Sequence, residues 1–130
     1  MKLSSIPPDL IGQKWTVDRN CWWLVREVQR TEFGIDIPDY PLDSMDVRNM
    51  ARAIVDNPET TKNWRRVNDP QHGDVVFLSR KTMPHHVGVW WHGGILHIME
   101  GGYVCVQNKI NFRLFGWKIT DYYRHGSLFT

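Results

Sequence analysis

Long apolar runs are missing from this chain. No stretch approaches the roughly 20 residues that a membrane-crossing helix needs. The opening MKLSSIPPDLIGQKW has no apolar core of the kind a secretory leader carries. The expectation is a protein made and folded in the cytoplasm, with no signal peptide and no membrane anchor. Cysteine is scarce. Cys21 and Cys105 allow one disulfide at most, and a cytosolic product disfavours even that. Stripes of like charge are absent too. The net charge is +2, and the basic residues are scattered. The densest cluster, Trp64-Arg65-Arg66, reads as a solvated strand edge. Nucleic-acid binding therefore has no electrostatic footprint. Internal repeats and low-complexity segments are also lacking, so nothing points to a repeat architecture.

What is present suits a globular domain. A length of 130 residues, with 42% hydrophobic and 23% charged residues, is enough for one real core. We read residues 1–130 as a single domain, with 1–19 an irregular arm broken by Pro7-Pro8. Seven Trp is high for this length, so some are expected to line a groove.

The first helix is predicted from Cys21 to about Phe33. Asn20 is a good N-cap residue, and Gly34 suits the position just past the end. Cys21, Leu24, Val25 and Val28 fall at i, i+3, i+4 and i+7, one stripe of the helix. The thiol thus sits in the first turn, beside unpaired backbone N–H groups and the positive end of the macrodipole. That setting favours the nucleophilic thiolate. A cysteine so placed is either a catalytic group or a small core residue. DSMDVRNMARAIVDN signals a second helix that serves packing and ends at Asn57-Pro58.

After Trp64 the pattern changes to short β-rich runs punctuated by Gly, Asn, Asp and Pro. NWRRVN, GDVVFLS, HHVGVWW, GILHIME, YVCVQN and WKITDYYR make five or six antiparallel strands. Helices first and strands after imply an α+β domain, with helices against a sheet. HHVGVWWHGGILHIME reads as a hairpin. Its tight loop is His92-Gly93 or Gly93-Gly94, and both loops are even-numbered. In either register His86, Gly88, Trp90 and His97 share one sheet face. In the first register His86 and His97 are diagonal neighbours, about 7–8 Å apart at the backbone. Gly88 would leave room for an imidazole and for a closely packed helix.

A helix-borne Cys facing a sheet that displays a His, with a second polar group behind it, has the form of nucleophile, base and orienter. His86 would take the thiol proton, and His97 would hold its tautomer. The plainer readings are a core Cys21 and structural histidines. A zinc site of Cys21, His86 and His97 lacks a fourth clear ligand and the usual close spacing, so no metal or cofactor is expected. Cys105, on a strand, reads as inert core. Asp74 reads as a turn residue, and His72, His85, His92 and His125 read as surface groups.

The order Cys on a helix, GDVVFL, HVGVW, a small turn and LH resembles the NlpC-type cell-wall cysteine peptidases, which share a papain-like fold. NCWWLVREVQRTEFGIDIPDY, HGDVVFLS, HHVGVWWHGGILHIMEGGYV and GWKITDYYR carry the likeness, from about residue 12 to 124. Within that family the chain resembles the branch found in tailed-phage tail assembly. The resemblance implies Cys21 as nucleophile, His86 as base and His97 as third polar residue. It implies peptide-bond cleavage in peptidoglycan stem peptides, often next to D-glutamate or diaminopimelate. It also implies delivery in a phage tail, with other tail proteins as partners. Three features depart from the family pattern. Asn20 stands where the family has Asp, and Trp22 and Trp23 follow the Cys and would reshape the cleft. Trp15 or Gln13 stands where an aromatic hydroxyl would serve the oxyanion hole. Asn20, Trp22 and Trp90 are accordingly candidate cleft residues. Two alternatives stay open. One is an inactive structural tail component that keeps the fold, and the other is an acyl transferase using the same Cys–His chemistry.

Overall fold

A computed structural model describes residues 10, 12–16, 18–37, 64–80 and 86–126. The expected second helix at 43–57 lies outside these residues, as does His85. The described elements are α1 (Cys21–Phe33), β1 (Trp64–Val67), β2 (Val75–Ser79), β3 (His86–Trp91), β4 (Gly94–His97), β5 (Cys105–Gln107), α2 (Lys109–Leu114) and β6 (Lys118–His125). The six strands form one antiparallel sheet, in the order β1-β6-β2-β3-β4-β5. This is an α+β fold with the N-terminal helix packed on the sheet. Arg65 and Arg66 are exposed on the edge strand β1, where Arg66 pairs with Asp121 at 2.8 Å.

The ends of α1 follow from its sequence. Asn20 caps the start, its side-chain oxygen accepting from the Trp23 amide at 3.0 Å. Gly34 closes the helix in the left-handed region at φ 66°, which costs glycine no Cβ clash. Its N–H donates to Arg30 O, and the Ile35 N–H donates to Gln29 O. Leu24, Val25 and Val28 are buried against Val75, Phe77, Val87, Val89, Trp91 and Leu96. Burial of each such aliphatic side chain contributes about 1.5–3 kcal/mol.

Strand alternation sends the neighbouring residues to the other face. There Val76, Leu78 and Ile95 pack with Phe112 of α2 and with Trp117, and Trp90 and Tyr122 lie alongside. Sequence periodicity did not reveal α2, a short helix that covers the face opposite α1. At its start Asn108 accepts from the Asn111 amide at 2.8 Å.

The arm is not wholly irregular. Lys14 bridges to Tyr103, the Trp15 N–H donates to Gly102 O, and the Val104 N–H donates to Gln13 O. Asp74 does more than make a turn. It is fully buried, and both its carboxylate oxygens receive Arg124 of β6 at 2.8 Å. The pair ties the entry of β2 to β6.

Candidate active site

The hairpin fixes the two histidines. Trp91 pairs with Gly94, so the loop is His92-Gly93, with positive φ at both positions. That is the twist a two-residue hairpin prefers. The His92 amide donates to Nδ1 of His72 at 3.2 Å, and the two rings lie tilted with centroids 4.3 Å apart. His72 also lies against Trp91 and Phe33, so it is a packing residue as well as a surface group. His125 likewise meets the Trp64 ring edge-on at 5.2 Å.

With this register Gly88 lies beneath His97. A Cβ at residue 88 would come within 2.8 Å of Ile95 Cγ2 and 2.9 Å of Leu96 O. Only glycine lets β3 and β4 close here. The closure brings Nε2 of His86 to 3.1 Å from Nδ1 of His97. On its far side, Nε2 of His97 lies 3.0 Å from Oε1 of Gln107 and 3.5 Å from the Cys105 sulfur.

These contacts set the protons. The amide oxygen of Gln107 can only accept, so His97 carries its proton on Nε2. Burial pushes His97 down to about 4, against a smaller opposing effect of Gln107. A neutral His97 then offers Nδ1 as acceptor to an N–H on Nε2 of His86. In neutral His86 this leaves Nδ1, the ring nitrogen nearer the backbone, in the basic form. Gln107 and Cys105 were not recognised as site residues from sequence. Cys105 is the cross-strand partner of His97, and Gln107 shares its face. The β4–β5 register that reveals this has no sequence signal.

Cys21 opens α1, and its side chain belongs to the same buried cluster as Val87 of β3. The first-turn donors are divided. Trp23 and Leu24 bond Asn20, which leaves the Cys21 and Trp22 N–H groups outside the cap. Val87, in that cluster, is the residue that follows His86. The geometry differs from the expectation that Cys and His meet across one sheet face. Val87 lies on the α1 side, whereas the rings of His86 and His97 rest on Trp117 and Phe112 at 5.3 and 4.7 Å.

The expected thiolate is also corrected. Cys21 is 8% exposed, and burial pushes its thiol up to about 11, against smaller opposing effects of the backbone. Desolvation outweighs the helix start. Burial raises Cys105 as well. Both cysteines are free thiols.

The remaining candidates are dispersed. Trp22, expected in the cleft, is buried in the core between α1 and the sheet. The buried arc of α1 is broader than a narrow stripe and takes in Trp22 and Gln29 as well as Leu24, Val25 and Val28. Asn20 spends its side chain on the cap. Gln13 accepts from Arg19 at 2.7 Å. Trp15 is half-buried against the core. Trp90 shares the histidine face, edge-on to Tyr122.

Comparison with protein families matches residues 11–112 to the NlpC/P60 family. The chain belongs to the NlpC/P60 family. Family membership brings cysteine-peptidase chemistry at the family level, and the fold agrees with an NlpC/P60 papain-like domain. Neither the curated proteins nor the solved structures yield a match. Among the described residues, no helix of this NlpC/P60 chain is long and apolar enough to cross a membrane. Nor do three His, Cys, Asp or Glu residues gather there as a metal-binding group.

Proposed function

We propose that the protein hydrolyses peptide bonds of bacterial peptidoglycan through Cys21, His86 and His97. The observation that carries this reading is the chain of contacts from Gln107 through His97 to His86, with Cys21 of α1 in the same buried cluster as Val87, the residue after His86. Nδ1 of His86 takes the proton of Cys21 as the Sγ–carbon bond forms and the carbonyl electron pair moves to oxygen. The backbone N–H of Cys21, at the helix start, is the proposed donor to that oxyanion, and the Trp15 indole is a further candidate. Gln13 is another, through its side-chain NH2 group, since its amide oxygen is held by Arg19. Collapse breaks the C–N bond, and the leaving amine takes the proton from His86. Water then attacks the thioester with His86 again as base. The products are a carboxylic acid and the regenerated thiol.

The raised thiol supports a neutral Cys–His pair that transfers its proton during attack, rather than a standing thiolate. We further propose, on the sequence likeness to the tail-assembly branch, that the protein is carried by or assembled into a phage tail.

A second reading is an inactive tail component. The burial of all three groups favours it: Cys21, His86 and His97 are 8%, 6% and 2% exposed. Digestion of purified murein sacculi, followed by mass spectrometry, separates the two. Stem-peptide fragments released by wild type and not by Cys21→Ala support hydrolysis. No fragments from folded wild-type protein support the inactive component.

A further inference from the structure

On the histidine side of the sheet, α2 and β6 enclose a groove of about 300 Å³. That volume lies at the small end of ligand-binding clefts. Its floor is aromatic: Phe112, Trp117 and Tyr122. Its rim is cationic. Lys109 and Arg113 stand one helical turn apart on α2, and Lys118 opens β6. All three are exposed, and among the described residues no carboxylate lines the groove.

This is unusual in a chain with 14 Asp and Glu against 16 Lys and Arg. The nearby carboxylate of Asp121 is taken by Arg66 at 2.8 Å. A further cation, Arg80, lies 4.6 Å from the centre of the Trp117 ring. Like charges collected on one rim repel one another, and an anionic ligand would relieve that repulsion. The groove is also joined to the candidate active site, because Phe112 and Trp117 are the rings that rest on His97 and His86.

We propose that this groove binds an acidic peptide. Lys109, Arg113 and Lys118 take its carboxylates, and its aliphatic parts lie on Phe112, Trp117 and Tyr122. A guanidinium can grip a carboxylate with two parallel hydrogen bonds, and the aromatic floor gives a peptide backbone and methyl groups a surface that a bare anion would not use. That such a peptide is a substrate rests on the hydrolase reading, whereas the binding itself does not.

The test is fluorescence anisotropy with labelled Ala-Glu-Glu-Ala and Ala-Gln-Gln-Ala, titrated with wild-type and Cys21→Ser protein. The expected result is at least tenfold tighter binding of the glutamate peptide, weakening with added salt. Combined Lys109→Gln, Arg113→Gln and Lys118→Gln should erase the preference. Because these side chains are exposed, the circular dichroism spectrum should stay unchanged. Equal binding of the two peptides overturns the proposal. So does a preference that survives the triple variant, or displacement by polyphosphate but not by excess unlabelled glutamate peptide. Sacculus digestion is read separately. Its absence with the peptide preference intact defeats the hydrolase reading alone, and the converse defeats the groove alone.

Discussion

Nε2 of His86 lies 3.1 Å from Nδ1 of His97, and this contact decides which nitrogen of His86 is basic. The hydrogen-bonded chain that starts at Gln107 orders both rings. Replacing His97 with Ala leaves His86 free to rotate and to change tautomer. We expect kcat on a peptide substrate to fall about 10²- to 10³-fold with KM little changed. Steady-state kinetics on purified His97→Ala checks this, and an equal fall in kcat for Gln107→Ala would show that the relay begins at the amide.

Cys21 should behave as a protonated thiol at rest. Burial pushes it up to about 11, so the thiolate fraction grows with pH through the neutral and alkaline range. Iodoacetamide labelling, followed by mass spectrometry of the Cys21 peptide, should accelerate steadily from pH 7 to 10. A rate that is already level below pH 7 would mean a stable thiolate–imidazolium pair instead. Cys105 serves as internal reference, since burial raises it too.

The buried His97 also couples stability to pH. Its folded value is about 4, against an ordinary 6.5. Above pH 6.5 neither state holds the proton. Between pH 6.5 and 4 the unfolded chain takes up a proton that the fold refuses, so stability falls as pH drops. The loss from this one group reaches roughly 3 kcal/mol by pH 4, then levels off. Urea denaturation of wild type and His97→Gln across this range should show a shallower slope for the variant.

Gly88→Ala should separate β3 from β4. The added methyl meets Ile95 and the Leu96 carbonyl, one of them backbone, so neither rotamer change nor small shifts can absorb it. A destabilisation of about 1–3 kcal/mol is expected from overpacking. Loss of activity beyond the unfolded fraction would show that the His86–His97 contact has lengthened. A melting temperature equal to that of wild type would contradict the close approach.

Arg124→Met leaves Asp74 as a buried carboxylate that has lost its cation. Removing one partner of such a pair costs about 3–5 kcal/mol. The same denaturation experiment measures it. The double variant Arg124→Met/Asp74→Leu should recover most of the loss, because no unpaired charge then remains.

Local rules read well from the sequence. Asn20 and Gly34 mark the ends of α1 because a side-chain acceptor and a left-handed residue are needed at those positions. Parity alone put His86 and His97 on one face, since any even hairpin loop preserves it. What sequence missed depends on long-range register and burial. Gln107 and Cys105 reach His97 only through β4–β5 pairing. The thiol of Cys21 was expected to follow the helix dipole, yet desolvation by the surrounding core prevails. Trp22 was assigned to a cleft because it adjoins the nucleophile, whereas the broad buried arc of α1 draws it into the core. The short α2, six residues long, offers too little periodicity to be seen.

The most direct test of the account is mass spectrometry of purified sacculi after incubation with wild-type and Cys21→Ala protein. The account predicts stem-peptide fragments from wild type and none from the variant, with both proteins folded. Fragments released equally by both proteins would contradict it.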